Sequence, residues 1–389
     1  MTADQTYILE NAVLVLPDRV VEQGWVAVAG GVIAEIGEGA APVQGMGASR
    51  LDVAGDHIVP GLVELHTDHI ENHFIPRPKV RWHALSAVMA YDAQIASAGI
   101  TTVFDSLRVG TDFDLGSMGN DDLWQLSDAI AKASEAGYLR AEHRTHLRCE
   151  ISSSDVLDQA ESYASRHAVH LVSLMDHTPG QRQFRDIGIW KTYYMGRSDA
   201  SDAEAEKLIA WRRDLHDRNA VKHRRALVAF ARRNGAVLAS HDDGTEDHVA
   251  EAVSDGVAVA EFPTTMEAAH ASHQAGIQVM MGGPNVVRGG SHSGNIAAEQ
   301  LAREGILDLL SSDYVPASLL MAAYDLPRRV LEITLPQAIA TVTRNPAIAA
   351  GLNDRGEVAV GKRADLVRVH VTDGLPVVRE VMRAGRRVA

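Results

Sequence analysis

The chain has little of what staples a small secreted domain or anchors a protein in lipid. Its single cysteine, Cys149, excludes an intrachain disulfide. No stretch approaches the roughly 18 consecutive apolar residues of a membrane helix. The start Met1-Thr2-Ala3-Asp4 lacks the charged and apolar regions of a signal peptide, so a cytoplasmic location is expected. Basic residues are also in deficit, 37 against 51 acidic, and the formal charge of −14 offers no long-range attraction for nucleic acid or an anionic membrane. An anionic substrate must therefore be held by local groups.

What is present is a long chain of ordinary globular composition, with 389 residues, 46% apolar and 23% charged. That length suits one large core with a smaller satellite. Short alternating runs such as Ala12-Val13-Leu14-Val15-Leu16 and Trp25-Val26-Ala27-Val28-Ala29 read as strands. The same texture returns at Gly356–Gly361, Ala364–Val369 and Val377–Met382. Between these ends, eight strand-like runs alternate with helical stretches: Leu62–His66, Thr101–Asp105, Thr145–Glu150, Val169–His177, Ala236–His241, Val257–Phe262, Ile277–Gly282 and Ile306–Asp313. His83–Ala98, Asp121–Ala136 and the long charged stretch Asp202–Arg233 read as helices. The expected fold is α/β, a (β/α)8 TIM barrel with a small β-sandwich domain formed from both termini. The division falls at residues 1–56 and 345–389 for the small domain and 57–344 for the barrel.

In such barrels the reactive groups gather at the C-terminal ends of the strands. His66 and Asp68 follow the first expected strand, Glu150 the third, His177 the fourth, His241 the fifth and Asp313 the eighth. Residues at i and i+2 on extended backbone face one side, so His66 and Asp68 can grip one ion together. Imidazole and carboxylate donors suit zinc, with manganese or magnesium as alternatives, and a carboxylate such as Glu150 can bridge one ion to a second. A lone strand-end histidine is ordinarily just hydrogen-bonded; six ligand-type residues at one end of a barrel make a metal site the better reading. A bound ion lowers the pKa of water, and Asp313 is the candidate base. Histidines such as His143, His167 and His216 gain no role from spacing.

The glycine-rich run Met281–Asn295 follows the seventh strand, where barrels often bind phosphate, and Arg288, Ser291 and His292 lie in it. Arg77, Arg182 and Lys191 are further cations near active-end segments. Each of these is as readily a solvated loop charge.

The motif Pro60-Gly61-Leu62-Val63-Glu64-Leu65-His66-Thr67-Asp68 resembles the first strand of amidohydrolases, with Asp68 where a second histidine is usual. Asn345-Pro346-Ala347 and Ala364-Asp365-Leu366-Val367 resemble that superfamily's ending. The segments His66–Pro78, Asp176–Gln181, Gly283–Gly289 and Ser312-Asp313-Tyr314 resemble, more narrowly, the α-D-ribose 1-methylphosphonate 5-triphosphate diphosphatase family, with His69 where asparagine is commoner. That resemblance implies cleavage of a small phosphorylated substrate to a 5-phosphate and pyrophosphate in the carbon–phosphorus lyase pathway, and a homo-oligomer. The rival readings are a carbon–nitrogen hydrolase using the same activated water, and a non-catalytic scaffold, which the intact ligand-type set argues against.

Overall fold

The computed structural model describes residues 6–42, 49–112, 119, 121–184, 187–197, 201–291 and 294–389. Five strands open the chain: β1 (Tyr7–Val15), β2 (Val20–Ala29), β3 (Val32–Glu38), β4 (Ser49–Asp52) and β5 (His57–Pro60). Eight parallel strands follow: β6 (Leu62–Thr67), β7 (Ile100–Val109), β8 (Glu142–Glu150), β9 (Leu171–Met175), β10 (Val237–His241), β11 (Val259–Glu261), β12 (Gln278–Gly282) and β13 (Leu309–Ser311). The chain ends in β14 (Leu366–Thr372), β15 (Leu375–Arg383) and β16 (Arg386–Arg387).

Both ends share one sheet, ordered β16-β15-β14-β5-β1-β2-β3, with β4 alongside the first half of β1. Its register joins Leu366 to Pro60 and Val367 to Val59, so the C-terminus is hydrogen-bonded to the strand that leads directly into the barrel. The expected strand at Gly356–Gly361 is instead irregular, although Val358 is buried in the sheet's core. Gly356 has φ +87° and stands where a Cβ would lie 2.9 Å from the Thr343 carbonyl oxygen, a turn that only glycine makes easily.

The barrel strands run in sequence order from β6 to β13, and each expected strand is present. The ring is joined where Asp313 N–H donates to the His66 carbonyl at 3.2 Å and Thr67 Oγ1 donates to the Asp313 carbonyl at 2.6 Å. Val63, Leu65, Phe104, Leu171, Ala239, Val259, Met280 and Leu309 fill the barrel, joined by Ala347 and Leu352 from the last turn before the terminal sheet. A larger core lies between strands and helices, including Leu107, Val109, Leu147 and Cys149. On β8, alternation therefore sends Leu147 and Cys149 outward and leaves His146, Arg148 and Glu150 for the inside.

Helices Ala84–Ser97 and Asp122–Glu135 fall within a residue of expectation, and Asp202–Asn234 runs for 33 residues with a Ser201/Glu204 capping box and Gly235 as its left-handed stop. Among the described residues, no helix is long and apolar enough to cross a membrane.

Gly61, between the terminal sheet and the barrel, donates its N–H to the Asp365 carbonyl at 2.8 Å. A Cβ there would lie 2.7 Å from Thr101 Cγ2 and 2.9 Å from Asp365 Cβ, both buried. Gly61→Ala is expected to cost about 1–3 kcal/mol through overpacking, read as a lowered Tm with unchanged metal content. An unchanged Tm would show that this seam yields.

Candidate metal centre and active site

The barrel's C-terminal end collects two groups of donors. The first is His66 at the end of β6, His146 on β8 and Glu261 at the end of β11, all buried. The second is His177 beyond β9, with His241 and Asp242 at the end of β10. Within each group the donor atoms lie within 4.8 Å of one another. The groups are contiguous, since the rings of His66 and His241 stack with centroids 5.5 Å apart and those of His241 and His177 are 5.7 Å apart.

Glu261 is the hub. Its Oε2 accepts from Ser173 Oγ at 2.8 Å and faces His241 Nδ1 at 3.0 Å, while its Oε1 lies 3.1 Å from His66 Nδ1. Burial alone would raise its pKa, but His66, His146 and the His241 hydrogen bond hold it well below the usual carboxylate range. His146 is held down to about 3 by burial. The close pair His66 Nδ1 and Glu261 Oε1 is not aligned as a hydrogen bond, and both atoms, like Asp242 Oδ2, are buried without one. Orphaned buried donors and acceptors of this kind are costly unless something else satisfies them. A divalent cation does so with the imidazole and carboxylate donors that zinc or manganese prefers.

The other expected residues stand around these groups. Glu150 uses Oε1 to accept from His177 N–H at 3.0 Å and sets Oε2 2.6 Å from His177 Nδ1, so both its oxygens orient the histidine. Asp68 Oδ2 accepts from Arg148 Nη1 at 2.8 Å. Burial acts to raise Asp68, but Arg148, His66 and Arg108 together lower it. Asp313 moves the opposite way, raised by burial and then by the Asp68 charge. Two neighbouring carboxyls are thus driven apart in proton affinity, one paired with guanidinium and one not. Backbone strain collects here too: Asp242, Phe262 and Asp313, just past β10, β11 and β13, have φ of +56°, +55° and +53°.

The expected phosphate-facing cations do not converge. Arg182 is buried against Asp243 and also reaches Glu251 at 3.3 Å and the His241 carbonyl at 3.3 Å, so it braces the β10 loop. Lys191 is held by Asp202 at 2.9 Å and Glu206 at 2.5 Å. Arg77 is exposed on the loop after β6, Arg288 is exposed at the end of the short helix Gly283–Arg288 after β12, and His292 lies outside the described residues.

Residues without an assigned role in the sequence reading complete the site. Glu261 sits one position before the apolar end expected for its strand. His146 and Arg148 precede Glu150 on the same face of β8. His216, on the long helix, lies 3.0 Å from Asp176 Oδ2, beside His177. Strand-end position could have revealed Glu261; His216 carries no local signal.

The amidohydrolase family model matches residues 93–389. The chain is 45% identical over 386 residues, 98% of its length and 100% of the relative's, to the alpha-D-ribose 1-methylphosphonate 5-triphosphate diphosphatase of Escherichia coli strain K12. An imidazolonepropionase of Deinococcus deserti is 41% identical over 68 residues, 15% of this chain and 17% of that one. Solved structures with the same fold include N-isopropylammelide isopropylaminohydrolase from Burkholderia multivorans, with TM-score 0.64, 17% identity and 98% of each chain covered. N-acetyl-D-glucosamine-6-phosphate deacetylase from Mycobacterium smegmatis gives TM-score 0.62 and 19% identity, covering 98% of this chain and 100% of its own.

Proposed function

The chain belongs to the amidohydrolase family, and on that premise we propose that it hydrolyses α-D-ribose 1-methylphosphonate 5-triphosphate to the 5-phosphate and pyrophosphate in cytoplasmic phosphonate catabolism. The observation that carries this reading is the end-to-end 45% identity to a diphosphatase with that substrate. It is supported by a barrel mouth lined with imidazole and carboxylate donors.

His66, His146 and Glu261, and beside them His177, His241 and Asp242, would hold one or two divalent ions, zinc first. Such an ion supplies Lewis acidity and a water of lowered pKa. Glu150 fixes the ring of His177 from behind. Asp68, kept ionised by Arg148, would add a further carboxylate donor beside these groups. Asp313 accepts the proton of the attacking water as it adds to the α-phosphorus, and the bond to the departing pyrophosphate breaks.

The test is phosphorus NMR of metal-reconstituted protein with this triphosphate. Pyrophosphate should accumulate, chelator should lower the rate by more than about 100-fold, and zinc or manganese should restore it. An intact triphosphate beside stoichiometric metal would redirect the assignment to carbon–nitrogen substrates. A rate indifferent to the chelator would remove the metal from the mechanism.

A further inference from the structure

Arg182 and Lys191 are committed to carboxylates, yet a triphosphate needs cationic groups close to the reacting phosphorus. The strands of the barrel supply two that lie in register. β7 and β8 pair Phe104 with Arg144, Ser106 with His146 and Arg108 with Arg148. Phe104 packs in the barrel's interior core, and Ser106 Oγ lies 3.0 Å from His146 Nδ1. Arg108 is the next residue on that inward face and Arg148 the next after His146, so two guanidinium groups stand side by side one step above the His66–His146–Glu261 layer.

Their surroundings keep them inside the active end. Arg148 donates to Asp68 at 2.8 Å, and Arg108 stands 3.9 Å from Glu71, at the outer limit of an ion pair. Both charges act on Asp68, whose neighbour is Asp313. The side chains of Arg108 and Arg148 retain 31% and 12% exposure, against 5% for Arg182 and 20% for Lys191, whose partners Asp202 and Glu206 hold it outside the barrel strands. Arg148 Nε is buried with no hydrogen-bond partner, a donor left over after the Asp68 contact.

We propose that Arg108 and Arg148 form the subsite that binds a phosphoryl group of the substrate's triphosphate and carries the departing pyrophosphate. Guanidinium presents planar paired donors that match phosphate oxygens, and two on neighbouring strands span adjacent phosphoryl groups. The strands hold them rigidly, whereas Arg77 sits on a loop and Arg288 ends a six-residue helix. The inference rests on the diphosphatase reading for the identity of the substrate, and on the β-register alone for an anion site at this place.

The experiment is a calorimetric titration of the metal-loaded protein with inorganic pyrophosphate, together with steady-state kinetics on the triphosphate, for wild type, Arg108→Gln, Arg108→Lys and Arg148→Lys. Arg108→Gln should weaken pyrophosphate binding at least about 10-fold and lower kcat/KM by at least a similar factor, with metal content unchanged. Arg108→Lys should recover part of the binding, since charge remains but the paired donors do not. Arg148→Lys should weaken binding likewise. Wild-type Kd and kcat/KM in Arg108→Gln would overturn the proposal. So would lost metal or kcat with unchanged pyrophosphate affinity, because the arginines would then only hold Asp68 and Glu71. Binding is measured without turnover, so failure of the triphosphate to react would remove the diphosphatase reading while the titration still decides whether this pair binds phosphate.

Discussion

Asp313→Asn is expected to lower kcat by a factor of about 10²–10⁴, the usual range for removing a general base, while leaving the fold and the Tm close to wild type. Asparagine is the replacement of choice because Asp313 has φ +53°, a left-handed conformation that asparagine tolerates and alanine does not. The contacts that join β13 to β6 use the Asp313 backbone, its N–H on the His66 carbonyl and its C=O on Thr67 Oγ1. The side chain can therefore lose its proton-accepting oxygen without opening the barrel. Circular dichroism and thermal melting would establish the fold, and pyrophosphate release the rate. Near-normal turnover in Asp313→Asn would transfer the proton to another group, with Asp68 the neighbour to test first.

Glu261→Gln should have the broadest effect on the site. The carboxylate faces His66, His146 and His241 and accepts from Ser173, all without solvent. Glutamine keeps the shape but removes the charge and places an amide N–H₂ among imidazoles that need acceptors. Where the residue is a ligand, metal affinity should fall by well over the 10–100-fold typical of losing an outer-shell partner, and turnover with it. Metal content after dialysis, read by elemental analysis, separates the two roles. Full metal occupancy with wild-type kcat would show Glu261 to be a packing carboxylate and would dissolve the first donor group. Both substitutions can be tested in one preparation against Gly61→Ala, which should move Tm without touching metal content.

Much of the architecture was legible in order and spacing. All eight barrel strands lie within their expected segments or overlap them, because buried parallel strands are short apolar runs with glycine and polar residues between them. The long helix was equally plain, bounded by Ser201 and Gly235. Boundaries were less so. The second strand was expected to stop at Asp105 but continues to Val109, since Ser106, Leu107 and Arg108 pair with β8 whatever their own polarity. That four-residue difference hid Arg108. The sixth strand was expected to end on Phe262, which placed an apolar side chain where Glu261 carries the chemistry.

What the sequence by itself determined is the period of the chain: which segments are strands, that eight of them alternate with helices, and that His66, His177, His241 and Asp313 fall at the strand ends where a barrel puts its reactive groups. Those are local properties, set by side-chain alternation and by the turn residues at each end. Tertiary structure alone decided which donors meet. Glu261 on β11 meets His66 on β6 across the barrel, Glu150 turns both oxygens to His177, and Arg182 is withdrawn by Asp243 and Lys191 by Asp202. The physical reason is that coordination and ion pairing depend on separations of a few ångströms, and closing a barrel brings together residues hundreds of positions apart. No window of sequence contains that distance.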